Sequence, residues 1–293
     1  MSTSKIFRDD VLKNKVAFVT GGGSGICRGM TEAMIRHGAK AVITSRSQER
    51  LDKAAEEMRK QTGGEILAIA ADVRKPEEII NAVEKAIERF GKIDILVNGA
   101  AGNFLAPVET LSYRGFRTVI EIDLLGTYNT TKACFPYLKK SRGCVINVSA
   151  ILHYQSTIYQ SHVSAAKAGI DALSRNLAAE WGPHSIRVNS IAPGIIAETE
   201  GLAKLLPSAA AGSVTGSIPL QRMGTISDIE QATIFLASDA ASFITGQIIV
   251  VDGGESLMRV GVLPYPESVI DPTNFSTKKL GVKFTICYNL KKT

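Results

Sequence analysis

Seven short apolar or β-branched runs punctuate the chain: Val16 to Thr20, Ala41 to Thr44, Ile66 to Ala70, Ile93 to Val97, Cys144 to Val148, Arg187 to Ile191 and Ile248 to Val251. Stretches of helical period lie between them, near Ile26 to His37, Gln48 to Gln61, Pro76 to Phe90, Tyr113 to Lys139, His162 to Trp181 and Ser227 to Ser238. Runs so short and so continuously apolar suit strands covered on both faces, and a helix between successive strands brings each new strand in parallel to the last. Such crossovers are right-handed, so the alternation predicts an α/β fold built on a doubly wound parallel sheet of about seven strands with helices on both faces. No second hydrophobic pattern and no internal repeat stands beside it. Residues 1–275 are therefore expected to form one domain, followed by a basic tail over 276–293. The stretch Glu198 to Pro219, rich in alanine, serine and glycine, interrupts the alternation after the sixth run. It is expected to cover the strand C-termini, where ligands bind in such sheets, although an ordinary surface loop has the same composition.

Charge narrows the partners. Of the net charge of +6, five charges are lysines between Ser276 and Thr293, a stretch with no acidic residue. The body of the chain is therefore nearly neutral, and nucleic acid is not an expected partner. No apolar run approaches 18 residues, so no membrane span is expected, and the polar start from Met1 to Asp10 does not read as a secretory signal. Cys27, Cys134, Cys144 and Cys287 have no spacing that suggests a metal site or a disulfide framework; reduced thiols are the expectation.

The first run is followed at once by Gly21-Gly22-Gly23-Ser24-Gly25-Ile26. Glycines between a strand and a helix let backbone N–H groups approach a pyrophosphate, and the helix N-terminus adds partial positive charge. Alone the motif is weak, since any tight strand-to-helix turn can use glycine. With its neighbours it resembles the TGxxxGIG signature of the short-chain dehydrogenase/reductase family, Cys27 standing where that family has its last glycine. Further matches follow in order: Asp72-Val73 after the third run, Asn98-Gly99-Ala100-Ala101-Gly102 after the fourth, and Pro193-Gly194 after the sixth. The resemblance spans Lys13 to Gly254 and implies a single Rossmann-like domain with Gly21, Gly23, Ser24, Gly25, Ile26, Asp72, Val73, Asn98, Pro193, Gly194 and Thr199 around a dinucleotide.

The end of the second run bears on which dinucleotide. A carboxylate there would accept hydrogen bonds from a ribose diol, whereas an arginine would pair with a 2′-phosphate. This chain has Thr44-Ser45-Arg46 with Arg50 a helical turn further on and no acid at the strand end, which favours NADP(H). A solvated surface arginine is the alternative.

The catalytic end is distinguished by what it lacks. The family pairs a tyrosine with a lysine four residues later, and a serine about thirteen residues before the tyrosine; the lysine lowers the phenol's pKa for proton exchange with a carbonyl or hydroxyl oxygen. Lys167 matches the lysine, and counting back reaches Val163 and then Ala150. The family asparagine is Asp123. Three readings stay open on these residues: a protein that binds the nucleotide without catalysis, a rescue by displaced Tyr154 or Tyr159, or reduction of something other than a carbonyl.

The last reading agrees with a narrower resemblance. Thr44-Ser45-Arg46 with Arg50, Asp72-Val73-Arg74, Asn98 to Phe104, Ile122-Asp123, His162 ahead of Lys167, and Thr199-Glu200-Gly201-Leu202 together are similar to the peroxisomal 2,4-dienoyl-CoA reductase branch of the family. That resemblance implies an acyl-CoA substrate, hydride delivery from NADPH to the far carbon of a conjugated dienoyl thioester, and protonation at the α-carbon to give a 3-enoyl-CoA. It implies Asp123 and Lys167 as the catalytic pair, Lys167 also touching the nicotinamide ribose. Arg46, Arg74 and Lys204 are expected toward substrate phosphates, Phe104, Ser112 and Tyr113 along the thioester and acyl path. His162 is open between a proton relay and a structural role. A homo-oligomer, tetramer or dimer, is implied, and so is a peroxisomal address. The chain ends Lys291-Lys292-Thr293 rather than in a Ser-Lys-Leu-type signal, and an internal Ser276-Thr277-Lys278-Lys279-Leu280 resembles one, as though the following residues were an extension; without that address the expectation is cytoplasmic. A trans-2-enoyl-CoA reductase and an NADP-binding scaffold are the alternatives.

Overall fold

The computed structural model describes residue 3 and residues 6–199, 202 and 215–258. Lys204, Cys287, the basic tail and most of the insert expected after Glu198 lie outside the described residues. The sheet and its helices fall within a compact unit, Met1–Leu257.

Seven strands form one parallel sheet: β1 (Val16–Thr20), β2 (Lys40–Ser45), β3 (Ile66–Ala70), β4 (Ile95–Asn98), β5 (Cys144–Val148), β6 (Arg187–Pro193) and β7 (Ile248–Val251), in the order β3-β2-β1-β4-β5-β6-β7. The order reverses between β1 and β4, whose register pairs Thr20 with Asn98. Adjacent chains diverge at such a reversal and open a crevice beyond the strand ends.

Period-two alternation divides the core into two layers. Ala17, Val19, Ala41, Ile43, Ile95 and Val97 face α1 (Gly25–Arg36), α2 (Gln48–Thr62) and α7 (Ile226–Ala237), meeting Met30, Met34, Leu51, Met58 and Ile229. Phe18, Val42, Leu96 and Val145 face α3 (Pro76–Phe90), α5 (Gly126–Ser141) and α6 (Ser161–Trp181), meeting Ile79, Val83, Leu138 and Leu177. Fully burying one such side chain contributes roughly 1.5–3 kcal/mol, which is why strands apolar on both sides specify this layering.

The alternation read from the sequence therefore gives the sheet and its helices, with small shifts at the ends. The fourth strand begins at Ile95 rather than Ile93, and Asp94 just before it accepts a 2.8 Å hydrogen bond from the Val16 amide. A larger departure concerns the stretch expected as one helix from Tyr113 to Lys139. It divides into α4 (Tyr113–Ile120), a π-helical turn (Glu121–Leu125) and α5. Single π turns re-aim side chains inside otherwise regular helices and concentrate at functional sites. Here the turn carries Asp123.

At the start of α7, Thr225 and Asp228 form a reciprocal capping box, and Arg222 pairs with the same carboxylate at 2.8 Å. Arg222 first, then the Thr225 amide and hydroxyl, hold the Asp228 carboxyl below the ordinary carboxylate range. A depressed carboxyl stabilises the fold at neutral pH and loses that contribution as acid protonates it. Thr225→Ala is expected to cost about 1 kcal/mol in urea unfolding at pH 7, with a smaller difference once the pH falls below the carboxylate range.

Candidate active site

The β1–α1 turn opens the crevice. Gly21 has φ +70° and a β-carbon there would lie 2.9 Å from the Gly99 carbonyl oxygen, so the turn needs glycine both for its backbone and for its contact with the β4 loop. Gly25, at φ +54°, has no atom within 4 Å of where a β-carbon would stand. Open space over a left-handed glycine at a helix start is the form a pyrophosphate needs. Ser24 precedes the helix in extended backbone without capping it by its side chain. Gly23 packs toward Leu51 and Gly22, which the motif count did not single out, toward Ile43. Ile26 joins the first core layer. Cys27, in place of the family's glycine, sits against Gly99, with burial pushing its thiol up to about 11 although Lys167 acts the other way. Cys27, Cys134 and Cys144 are buried free thiols.

Arg46 and Arg50 are exposed beyond β2 and make no ion pair among the described residues. Asp72 and Arg74 beyond β3 are bound to one another, with Arg74 Nε 3.0 Å from both carboxylate oxygens. That pair holds the Asp72 carboxyl below its usual range, with Arg46 adding a weaker pull. Arg74 thus already has a carboxylate partner within its own loop, in addition to any phosphate it meets. Val73 is buried, its carbonyl accepting from Asn129 at 2.9 Å.

Asn98 is buried at the end of β4. Its amide donates to Thr131 Oγ1 and Asn147 Oδ1, both at 2.8 Å, in a buried network tying β4 to β5 and α5. Thr20 Oγ1 accepts from the Gly99 and Ala100 amides at 3.0 and 3.1 Å and so shapes the same loop. At the end of β6, Pro193 is buried and Gly194 lies close against Asp252 and Glu255. Thr199 Oγ1 donates to the Ile196 carbonyl and accepts from the Leu202 amide.

Asp123 and Lys167 come together. Lys167 Nζ lies 3.2 Å from Asp123 Oδ2 and donates to the Val148 carbonyl at 2.9 Å; Asp123 Oδ1 accepts from the Gly102 amide at 2.7 Å. Asp123 is fully buried. The Gly102 amide and the Val148 carbonyl are the contacts sequence reasoning missed, because backbone groups from remote loops leave no residue-type signal. Val163 packs into a small apolar cluster with Val119 and Ala166, and Ala150 begins the turn after β5, so the two family hydroxyl positions are apolar. Neither tyrosine replaces them. Tyr154 stacks on His153 at 4.1 Å and Tyr159 is half exposed, and no hydrogen bond joins either to Lys167. The displaced-tyrosine reading therefore loses its geometry.

Beside the pair, Phe104 stacks on the buried His162 at 4.4 Å. The loop bearing Phe104 is fastened to the start of α6: Asn103 donates to Gln160 at 2.9 Å and the Ala106 amide to the Tyr159 carbonyl at 3.0 Å. Ser112 caps α4 by accepting from the Gly115 amide, and Tyr113 is almost fully exposed.

A switch-point crevice with a glycine turn on one wall and a buried lysine on the other is the layout of a dinucleotide-dependent oxidoreductase. A family model described as Enoyl-(Acyl carrier protein) reductase matches residues 21–256, and the chain belongs to the short-chain dehydrogenase/reductase family. Among relatives, it is 48% identical over 275 residues to the peroxisomal 2,4-dienoyl-CoA reductase SPS19 [(3E)-enoyl-CoA-producing] of Saccharomyces cerevisiae, covering 92% of this chain and 94% of that one. It is 47% identical over 251 residues to the Danio rerio protein named peroxisomal 2,4-dienoyl-CoA reductase, covering 85% and 84%. A solved short chain dehydrogenase from Bacillus anthracis superposes with a TM-score of 0.77 at 39% identity, covering 85% of this chain and all of that one. Among the described residues no helix is long and apolar enough to cross a membrane.

Proposed function

We propose that this chain is an NADPH-dependent 2,4-dienoyl-CoA reductase that converts a conjugated dienoyl thioester to a 3-enoyl-CoA during β-oxidation of unsaturated fatty acids. The observation that carries the reading is the buried Asp123–Lys167 pair at a site whose two family hydroxyls are Val163 and Ala150. Relatives named for this activity at 44–48% identity support it.

When bound, NADPH supplies a hydride to the far carbon of the diene. The remaining task is to hold charge at the thioester oxygen and to protonate the α-carbon, and neither requires a phenol poised beside a carbonyl that becomes an alcohol. Asp123 and Lys167 orient and polarise a water for that proton. Gly102 fixes one carboxylate oxygen and Val148 fixes the ammonium, so backbone groups hold the pair in place. Arg46 and Arg50 suit a 2′-phosphate, being exposed beyond β2 with no acid at the strand end. Lys167 also meets the nicotinamide ribose, and Phe104 flanks the thioester. A homo-oligomer and a peroxisomal address belong to the same reading.

NADPH absorbance with a panel of 2,4-dienoyl-CoA, 2-enoyl-CoA and a simple ketone tests it. Consumption with the dienoyl-CoA, yielding a 3-enoyl product, is expected. Turnover of the ketone alone would refute the reading, and silence on all three with NADPH still bound would favour a scaffold.

A further inference from the structure

We infer that His162 is the hydrogen-bond donor to the thioester oxygen as negative charge builds there, with Phe104 as the cover it shares with the substrate. The inference rests on the dienoyl-CoA reading and names a group that reading still needs.

Charge that moves into a conjugated thioester accumulates on its oxygen, and a preorganised donor there is among the largest contributions to such a step. Most donors around the pair have other tasks. Lys167 Nζ donates to Val148 and faces Asp123, its remaining N–H being expected toward the nicotinamide ribose, both amide hydrogens of Asn98 serve Thr131 and Asn147, and the side chains of Val163 and Ala150 have none. The buried Ser149 hydroxyl, next to Val148, has the Asp171 carboxylate as its electrostatic neighbour.

His162 is different. It is fully buried, and neither Nδ1 nor Nε2 makes a hydrogen bond of good geometry. Leaving a buried polar group unpaired is unfavourable, a penalty a ligand can remove. The Phe104 backbone and the Asp123 carboxylate favour the protonated ring, but burial outweighs both and holds it below the ordinary histidine range. A neutral imidazole still carries one N–H, so it can donate without surrendering a proton. Against it lies Phe104, 39% exposed, the one ring stacked on it among the described residues. A partly exposed aromatic ring over an imidazole that lacks a hydrogen bond of normal geometry makes a cover that an acyl thioester can displace or slide beneath. His162 keeps its proton throughout: with NADPH as the source of hydride at the far carbon, the water held by Asp123 and Lys167 would give a proton to the α-carbon, Lys167 would neutralise the hydroxide left behind and regain its proton from solvent, and the oxygen would regain its double bond.

The test compares wild-type protein with His162→Phe and His162→Gln, using 2,4-decadienoyl-CoA and NADPH. His162→Phe is expected to lower kcat about a hundredfold, with KM and NADPH affinity within about threefold, and His162→Gln, which restores an N–H, to recover about tenfold. A second probe is acetoacetyl-CoA, a stable β-oxo thioester. Its enolate band in the ultraviolet is expected to strengthen on the wild-type protein and on His162→Gln and to weaken on His162→Phe. Variants as active as the wild type, or Phe and Gln variants equally impaired with the enolate band unchanged, would overturn the role while leaving the reductase reading standing. A wild-type protein inert toward every dienoyl-CoA would overturn that reading, and this role with it.

Discussion

Asp123→Asn is expected to reduce turnover of a 2,4-dienoyl-CoA about a thousandfold while NADPH affinity stays within about threefold, measured by steady-state absorbance and by nucleotide fluorescence titration. The substitution is nearly isosteric. Its amide oxygen can still accept from Gly102, whose amide lies 2.7 Å from Oδ1, so the π-helical turn should keep its shape. What is lost is the negative charge opposite Lys167 at 3.2 Å, in a place with no solvent exposure for the carboxylate. Positioned proton transfer contributes typically 10²–10⁴-fold, so a thousandfold loss lies inside what the chemistry allows. Full turnover by the variant with NADPH well bound would remove Asp123 from the mechanism.

The second large effect concerns the nucleotide. Arg46→Asp is expected to lower the selectivity for NADPH over NADH about a thousandfold, read as the ratio of kcat/KM values. Two charge-assisted hydrogen bonds to a 2′-phosphate are each worth roughly 1.5–3 kcal/mol, and a carboxylate in their place repels the phosphate while accepting from a ribose diol. Arg46 is exposed at the strand end and makes no ion pair among the described residues, so little of the fold depends on it. Arg50 stands one turn along α2 and would retain part of the phosphate affinity, and for this reason the effect is expected in selectivity rather than in loss of all nucleotide binding. An unchanged preference would reject Arg46 as the discriminating residue.

Much of the architecture was legible beforehand because hydrophobic period is a property of neighbouring residues. Runs such as Val16 to Thr20 and Cys144 to Val148 are short and apolar on both sides, which suits a covered parallel strand, and they occupy the positions expected of them. The glycine turn was legible for a similar reason, since a left-handed backbone at Gly21 and Gly25 restricts residue type. Lys167 could be located by spacing, and the absence of the hydroxyls at Val163 and Ala150 by counting from it.

Other decisions belonged to contacts between residues far apart in the chain. Helical period continues through Tyr113 to Lys139, so nothing local marks the π turn at Glu121–Leu125; it became evident only with the Asp123 carboxylate bound to Gly102, 21 positions earlier. Asn98 carries the family's motif, but the facing of β4, β5 and α5 commits its amide to Thr131 and Asn147. Arg74 is expected toward a substrate phosphate, and only the folded loop shows that it also pairs with Asp72. Backbone geometry and hydrophobic pattern are written in adjacent residues, and so the sheet, the turn and the missing tyrosine could be read directly. Which polar group meets which depends on three-dimensional approach, and that is why the backbone groups that hold Asp123 and Lys167, and the buried His162 ring without a hydrogen bond, emerged only from the folded chain.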